Sequence, residues 1–190
     1  MVVPVKAFHA AKLRLAPALA PEAREVLARE MAERVLRAAA PLPVTVVCDD
    51  PAVQAWARSA GASVHFTPGL GLDGAVLAGV EAVAAGGAER AIVAHADLPL
   101  ATGLAHVVGA EGVLVVPDRR RDGTNVISVP TDAGFRFAYG PGSFERHVAE
   151  ALRLGLRCEV VDDAGLGWDV DVPADLDLPD GEDLREAALR

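Results

Sequence analysis

The sequence predicts one α/β domain over residues 1–190, built on a mixed and mostly parallel sheet. A chain of 190 residues is long enough to bury one sizeable core. Short runs rich in β-branched residues alternate with segments of helical periodicity, which is the pattern of βαβ units in a parallel sheet. Because no internal repeat, low-complexity stretch or linker interrupts the pattern, a single domain is expected.

The first half of the chain predicts alternating strands and helices. Pro21-Glu22 is a typical helix start, with proline first and an acid in the first turn, and Asp49-Asp50 before Pro51 predicts a second capped start. Short apolar runs between such segments are typical of buried strands. The strands are expected at Val2–Val5, Pro43–Cys48, Ala62–Phe66 and Ala91–His95, and the helices at Pro21–Ala39, Pro51–Ala60 and Asp73–Ala85.

The second half departs from strict alternation. A fifth strand is expected at Val113–Val116, and the next, Asn125–Val129, follows a short basic turn instead of a helix. A helix at Phe144–Leu154 and a strand at Arg157–Val161 come next, and the acidic end is expected to be mostly loop. The short turn between two strands is the reason to expect a mixed sheet.

Charge and hydropathy exclude several classes of function. The net charge is −9, and residues 158–190 carry eleven acidic and two basic side chains, which argues against nucleic-acid binding. No apolar run reaches the ~20 residues of a membrane span, and the first residues lack the layout of a signal peptide. Only Cys48 and Cys158 are present, each in a valine-rich stretch, so we expect buried thiols and a cytoplasmic protein.

Basic residues cluster in the loop after the first strand. Lys6 and Lys12 are the only lysines of the chain, and Arg14 follows them closely. Ligands of parallel α/β sheets bind at the carboxyl ends of strands, and a compact ammonium suits a phosphate. The loop therefore predicts polyphosphate binding, although it lacks the glycines of a Walker or dinucleotide motif. The alternative is an ordinary basic surface loop.

Acidic residues suggest a Mg²⁺ site. Asp97 follows the fourth strand, where a carboxylate is well placed to hold Mg²⁺ beside phosphate oxygens. Asp169 and Asp171 would share one face of an extended segment, an arrangement that is costly without a cation. Alternatively, Asp97 starts a turn before proline, and the later pair belongs to a turn and an Asp-rich helix start. The acidic end as a whole is either a solvated tail or partly a metal site.

Two glycine-bearing turns carry hydroxyl groups. Thr124 follows one, and the turn at Gly140 leads into Ser143 at a helix start, where the hydroxyl and nearby amides could hold a phosphate. The alternative is a routine turn and helix cap. The run Arg119–Arg121 is expected to be a solvated turn, and His95 is either a site residue or a structural histidine.

The order of these motifs resembles a known family over nearly the whole chain. The segments are Pro4-Val5-Lys6, Ala11-Lys12-Leu13-Arg14-Leu15, Ala96-Asp97-Leu98-Pro99, Asp122-Gly123-Thr124-Asn125, Gly140-Pro141-Gly142-Ser143-Phe144 with His147, and Asp169-Val170-Asp171-Val172-Pro173. Their order resembles that of the 2-phospholactate/phosphoenolpyruvate guanylyltransferases of deazaflavin coenzyme (factor 420) biosynthesis.

The resemblance implies a Rossmann-like, glycosyltransferase-A-like nucleotidyltransferase fold, GTP as donor, Mg²⁺, and a small phosphorylated carboxylic acid as acceptor. It also implies a transient hand-off of the product to the next enzyme of the pathway. Carried onto this chain, it assigns nucleotide binding to Lys6, Lys12, Arg14 and Asp73, catalysis to Lys12, Arg14 and Asp97, the metal to Asp97 with Asp169 or Asp171, and the acceptor phosphate to Thr124, Gly140 and Ser143. Asp73 stands after Leu72, where the family tends to have asparagine.

Two other functions stay open at this point. The first is a molybdenum-cofactor guanylyl- or cytidylyltransferase, although that group usually has several glycines in the first loop and Lys6–Ala16 has none. The second is a nucleotide-binding regulator without catalysis, which would not need Asp97, Asp169 and Asp171. The acceptor itself, whether phosphoenolpyruvate, 2-phospholactate or 3-phosphoglycerate, is not decided by any residue, although the arginine-rich composition and the resemblance favour phosphoenolpyruvate.

Overall fold

Seven strands form one sheet in the computed structural model, which describes residues 1–108 and 111–188. Their spatial order is β3-β2-β1-β4-β6-β5-β7. The strands are β1 (Val2–Pro4), β2 (Thr45–Cys48), β3 (Ser63–Phe66), β4 (Arg90–Ala94), β5 (Val113–Pro117), β6 (Thr124–Pro130) and β7 (Cys158–Val160). The helices are α1 (Pro21–Ala38), α2 (Pro51–Ser59), α3 (Gly71–Ala85), α4 (Ser143–Arg153) and α5 (Leu184–Ala187).

The sheet is mixed because of one strand. β6 pairs antiparallel with both β4 and β5, whereas β1, β2, β3 and β4 pair in parallel and β7 pairs in parallel with β5. The short turn between β5 and β6 leaves no room for the crossover that a parallel pair needs. The expected α/β architecture is confirmed, and no helix in the described part of the chain is both long and apolar enough to span a bilayer.

Alternating side chains of the strands form two cores on opposite faces of the sheet. Val3 and Val46 face one core, which α1 and α2 cover, while Val2 and Val47 face the other, which α3 and α4 cover. Gly79 lets α3 approach the sheet, because a Cβ there would lie 2.5 Å from a methyl carbon of Val47. The sheet is thus buried on both faces, and ligands are left with its edge.

A third cluster of apolar side chains ties the acidic end to the start of the chain. Leu15, from the N-terminal loop, and Leu27, from α1, pack with Val170 and Leu176. The idea of a solvated acidic tail is therefore wrong for this stretch, because its apolar residues are buried against α1. The packing carries Asp169 and Asp171 to the edge where the N-terminal loop lies.

Other expectations need correction. Cys158 is only half-buried, because β7 is an edge strand whose next residues, Glu159 and Val160, are exposed; Cys48 is buried as expected. The arginine run is not simply solvated, since Arg119 and Arg120 pair with the buried carboxylate of Asp175.

Candidate active site

A cleft of about 560 Å³ opens at the carboxyl ends of β1 and β4. Strand order reverses here, because β2 lies on one side of β1 and β4 on the other. Such a switch point is where open α/β sheets bind ligands. The cleft brings together predicted site residues from five separate segments: Lys6, Lys12, Arg14, Asp97, Thr124, Gly140, Ser143, Asp169 and Asp171.

Lys12 bridges two carboxylates on one wall of the cleft. Its ammonium Nζ lies 2.5 Å from Asp97 Oδ2 and 3.3 Å from Asp171 Oδ1, and its side chain is only 11% exposed. Burial alone would lower the pKa of Lys12, but the charges of Asp97 and Asp171 outweigh burial and raise it. Lys12 therefore stays a cation. Its backbone is left-handed (φ 55°), an uncommon conformation for a residue with a side chain.

The other two basic residues of this loop are more open to solvent. Arg14 is 74% exposed and its Nη1 lies 3.9 Å from Asp171 Oδ2. Lys6 is exposed at the cleft. Both side chains are free to turn toward an anionic ligand, whereas Lys12 is held by its two partners.

Asp97 and Asp169 each present a buried carboxylate oxygen without a hydrogen bond among the described residues, although Arg119 Nη1 lies 3.8 Å from Asp169 Oδ1. In the described part of the chain, neither Asp97 Oδ1 nor Asp169 Oδ1 makes a hydrogen bond. The two segments are adjacent, because the Val170 amide donates to the Asp97 carbonyl oxygen at 3.3 Å. Burial, followed by the negative charge of Asp97, raises the pKa of Asp169 to about 6. Burial would also raise the pKa of Asp97, but the Lys12 ammonium lowers it overall.

Buried carboxylate oxygens without a hydrogen bond fit a divalent cation. Within residues 1–108 and 111–188, no three His, Cys, Asp or Glu side chains group closely enough to form a complete metal site. Mg²⁺ uses few protein carboxylates and takes its remaining ligands from water and phosphate. Asp97 and Asp169 fit that pattern, because each keeps one buried carboxylate oxygen without a hydrogen bond among the described residues. Asp171 instead accepts a hydrogen bond from Lys12 at 3.3 Å.

Asp175 supports the loop that carries Asp169 and Asp171 through hydrogen bonds to its backbone. Asp175 was not predicted from the sequence as a residue of the site. The Asp175 carboxylate is fully buried and accepts the backbone amides of Asp171 and Val172 at 2.7 and 2.9 Å. It also pairs with Arg119 and Arg120. The sequence contains a signal for this role. An acidic residue two positions after a proline that starts a helix commonly accepts hydrogen bonds from the backbone amides at the start of that helix.

The opposite wall is built from the two glycine-bearing turns. Asp122 joins them, since its Oδ1 accepts the Gly142 amide at 2.9 Å and its carbonyl oxygen accepts the Phe144 amide. The Ser143 amide donates to the Gly140 carbonyl oxygen. The amides of Gly142, Ser143 and Phe144 are therefore already paired, and the hydroxyl groups of Ser143 and Thr124 remain as donors.

Aromatic rings close the back of this wall. Tyr139 lies 5.0 Å from the rings of both His95 and His147, measured between centroids. His95 Nδ1 lies 4.0 Å from Asp97 Oδ1, and its Nε2 is buried without a partner among the described residues, so His95 is not the satisfied structural histidine that was the alternative. Burial lowers the pKa of His95, which keeps the ring neutral.

Asp73 is placed differently from the other predicted residues. It is exposed and does not line the cleft, although its neighbour Leu72 does. Its Oδ1 accepts the Tyr139 amide at 2.8 Å, so it anchors the turn before Gly140. Asp50 caps α2, as the sequence predicts, by accepting the Ala52 and Val53 amides.

Nearly the whole chain is similar to a known protein family. Residues 1–182 match the family model described as "Guanylyl transferase CofC like". The chain belongs to this family. Its members among curated proteins include the phosphoenolpyruvate guanylyltransferases of Sphaerobacter thermophilus (35% identity, 93% of this chain and 89% of the relative) and Rubrobacter xylanophilus (38% identity, 92% and 90%).

A third relative, with a different name, is the 2-phospho-L-lactate guanylyltransferase of Methanoregula boonei, 34% identical over 87% of this chain and 74% of the relative. Solved structures agree on the fold. A nucleotide-diphospho-sugar transferase structure from Desulfovibrio desulfuricans superposes with a TM-score of 0.73 at 17% identity, covering 93% of this chain and 83% of that one. A nucleotidyl transferase from Methanothermobacter gives 0.59 at 15% identity, covering 92% and 94%. These comparisons establish that this CofC-like guanylyltransferase has a nucleotidyltransferase fold.

Proposed function

We propose that this chain transfers GMP from GTP to phosphoenolpyruvate in a Mg²⁺-dependent reaction that releases pyrophosphate. One observation carries the proposal: a single cleft holds two buried carboxylate oxygens without a hydrogen bond among the described residues, on Asp97 and Asp169, opposite the hydroxyl groups of Thr124 and Ser143. A triphosphate with a metal fits the first set, and a small phosphorylated acid fits the second. The names of the two bacterial relatives favour phosphoenolpyruvate.

The wall of the cleft formed by Lys12, Asp97, Asp169 and Asp171 is called the metal wall here, and its residues have distinct roles in this proposal. Asp97 and Asp169 would hold Mg²⁺, which when bound neutralises negative charge on the triphosphate. Lys12 stays protonated beside them and compensates the charge of Asp97 and Asp171. Lys6 and Arg14 are exposed and close enough to the cleft to bind the β- and γ-phosphates.

The chemistry needs positioning more than proton transfer. An oxygen of the acceptor phosphate attacks the α-phosphorus of GTP in line, while the bond from that phosphorus to the bridging oxygen breaks and pyrophosphate leaves. The second pKa of a phosphate monoester is about 6, so the attacking oxygen is already ionised at neutral pH. The residues of this cleft therefore act by bringing two polyanions together and not as a general base.

An acceptor series tests the substrate assignment. GTP and Mg²⁺ are supplied with phosphoenolpyruvate, 2-phospholactate or 3-phosphoglycerate, and pyrophosphate release is followed. We expect turnover with phosphoenolpyruvate above that with the other two acids. Faster release with 2-phospholactate would reassign the acceptor, and no release with any acid would favour a non-catalytic nucleotide-binding protein.

A molybdenum-cofactor transferase, the other alternative, would transfer only to a pterin and is disfavoured by the family assignment. A hand-off of the product to the next enzyme and a cytoplasmic location complete the proposal.

The role of Asp97 is tested by Asp97→Asn. The variant keeps the shape of the side chain but loses the charge that would bind Mg²⁺, so we expect turnover to fall by at least about 100-fold. The protein should still unfold in one cooperative transition, at a lower midpoint because Lys12 loses the charge of its nearest partner. Asp132→Asn, at an exposed position outside the cleft, is the matched control and should keep full activity. Near-normal turnover in Asp97→Asn would remove Asp97 from the metal site.

A further inference from the structure

His147 is a buried histidine whose two ring nitrogens both have partners. It lies on α4 with 0% exposure. Its Nε2 lies 3.0 Å from the backbone nitrogen of Ala138, and its Nδ1 lies 3.0 Å from the hydroxyl oxygen of Thr124. The histidine thus connects the loop before Gly140 with the first residue of β6. These two segments belong to the wall of the cleft built from the two glycine-bearing turns, called the acceptor wall here.

The partners determine which nitrogen carries the proton. The Ala138 amide is only a donor, so Nε2 must accept and must be unprotonated. In a neutral imidazole the proton is then on Nδ1, which donates to the Thr124 hydroxyl oxygen. Thr124 makes no other side-chain hydrogen bond in the described part of the chain and lines the cleft. Since its oxygen already accepts, its own O–H is left to donate into the cleft.

We propose that His147 is a positioning residue, which orients the Thr124 hydroxyl as a hydrogen-bond donor to the phosphate of the acceptor. The inference rests on the proposed function, because it assigns the phosphate group to this wall. A phosphate offers only acceptor oxygens, so a hydroxyl that is free to turn its lone pairs toward the cleft binds it less well than one that is oriented as a donor.

The surroundings of His147 favour this arrangement. The rings of Phe135, Phe137 and Tyr139 lie within 5.0 to 6.3 Å of the imidazole, measured between centroids, and restrict its rotation. Burial, followed by the positive charge of Arg146, lowers the pKa of His147 to about 4. The ring is therefore neutral at the pH where GMP transfer is expected, and a single tautomer satisfies both of its partners.

Two substitutions separate the two hydrogen bonds of His147. Asn places an amide nitrogen near the Nδ1 position and keeps the donor to Thr124. Gln places an oxygen near the Nε2 position and keeps the acceptor for Ala138. We expect His147→Gln to raise KM for phosphoenolpyruvate about tenfold, and His147→Asn to raise it less than about threefold. KM for GTP should change less than about twofold in both variants, because a substitution has little effect on a site with which it shares no network of interactions.

A double substitution checks that the effect passes through Thr124. Thr124→Val removes the hydroxyl, so adding His147→Gln to it should not raise KM for phosphoenolpyruvate further. Leu152→Gln, on the exposed side of the same helix, is the control for general effects on α4 and should behave as wild type. Equal losses in the Asn and Gln variants, or additive losses in the double variant, would overturn the inference.

The tautomer is measured on the wild-type protein, so that a failure of the variants to fold leaves the inference testable. Nitrogen NMR of histidine-labelled protein at neutral pH should show His147 protonated on Nδ1. A proton on Nε2 would overturn the proposal. Absence of GMP transfer by the wild type would contradict the proposed function, whereas transfer with the Nε2 tautomer or with unselective variants would contradict only the role of His147.

Discussion

Buried polar atoms divide the residues in and directly behind the cleft into two kinds. Those of Asp175 and His147 are fully paired within the protein, whereas Asp97 Oδ1 and Asp169 Oδ1 make no hydrogen bond in the described part of the chain. The basic groups beside them are His95, 4.0 Å from Asp97 Oδ1, and Arg119, 3.8 Å from Asp169 Oδ1. Folded proteins pair most of their buried polar atoms, so an unpaired carboxylate oxygen points to a ligand. The paired side chains support the structure of the site, and the carboxylate oxygens without a hydrogen bond are available to bind a ligand.

The protonation of His147 leads to a prediction about acid stability. The pKa is about 4 in the folded protein, below the value of about 6.5 in an unfolded chain. Between these values the unfolded state binds more protons, so stability falls as the pH falls through this range. The full effect is about 3 kcal/mol by pH 4 and is absent above pH 7.

Comparison with His147→Gln isolates this effect. Free energies of unfolding of both proteins are measured by urea denaturation from pH 7 to pH 4. We expect wild type to lose about 3 kcal/mol more than the variant over that range. Parallel curves would mean that the pKa of His147 is the same in the folded and unfolded proteins, so that burial and the contact with the Ala138 amide do not favour the neutral ring.

At the scale of elements, the segment from Trp168 to Leu176 determines the metal wall. Arg119 lies over the Trp168 ring with its guanidinium carbon 3.9 Å from the ring centre, and it also donates to the Asp169 carbonyl oxygen. Asp175 accepts the amides at the other end of the segment. The turn between β5 and β6 therefore supports the carboxylates from outside the cleft.

Removal of Asp175 should affect both stability and the metal site. Asp175→Ala leaves two buried amides and the guanidinium groups of Arg119 and Arg120 without their carboxylate, so we expect a loss of about 3 kcal/mol in the free energy of unfolding. The requirement for Mg²⁺ should rise by at least about tenfold. Both are measured on the full chain, by urea unfolding and by Mg²⁺ titration of pyrophosphate release.

Asp177 provides a matched control for this prediction. Its carboxylate is 67% exposed and pairs with Arg185 away from the cleft. Asp177→Ala should cost less than about 1 kcal/mol, as exposed ion pairs usually do, and should leave the Mg²⁺ requirement as in wild type. Similar effects of the two substitutions would show that Asp175 does not support the metal wall specifically.

Local chemistry accounts for what could be predicted about the elements. Pro21 and the Asp50-Pro51 pair begin helices because proline and a capping carboxylate act on neighbouring residues. The antiparallel β6 followed from a short turn. Asp175 and the arginines could not be paired in advance, because 55 and 56 residues separate them and only the folded chain brings them together.

At the scale of the molecule, the fold explains how distant segments form one site. Parallel strands end at the same edge, so the residues after β1 and β4 could be expected to meet from sequence alone. The sequence did not show that Lys12 would pair with Asp97 and Asp171, which leaves Asp169 as the second carboxylate with an unpaired oxygen. Which of the two carboxylates, Asp169 or Asp171, keeps such an oxygen depends on how the acidic segment packs against Leu15 and α1.

The central claim is that Asp97, from the middle of the chain, and Asp169, from its last part, together bind a divalent cation beside GTP. A crystal structure with Mg²⁺ and a non-hydrolysable GTP analogue tests it most directly. We expect one Mg²⁺ with an oxygen of each carboxylate at about 2.1 Å, and the triphosphate between it and the Lys6–Arg14 loop. A triphosphate bound elsewhere, or Mg²⁺ bound without either carboxylate, would contradict the account.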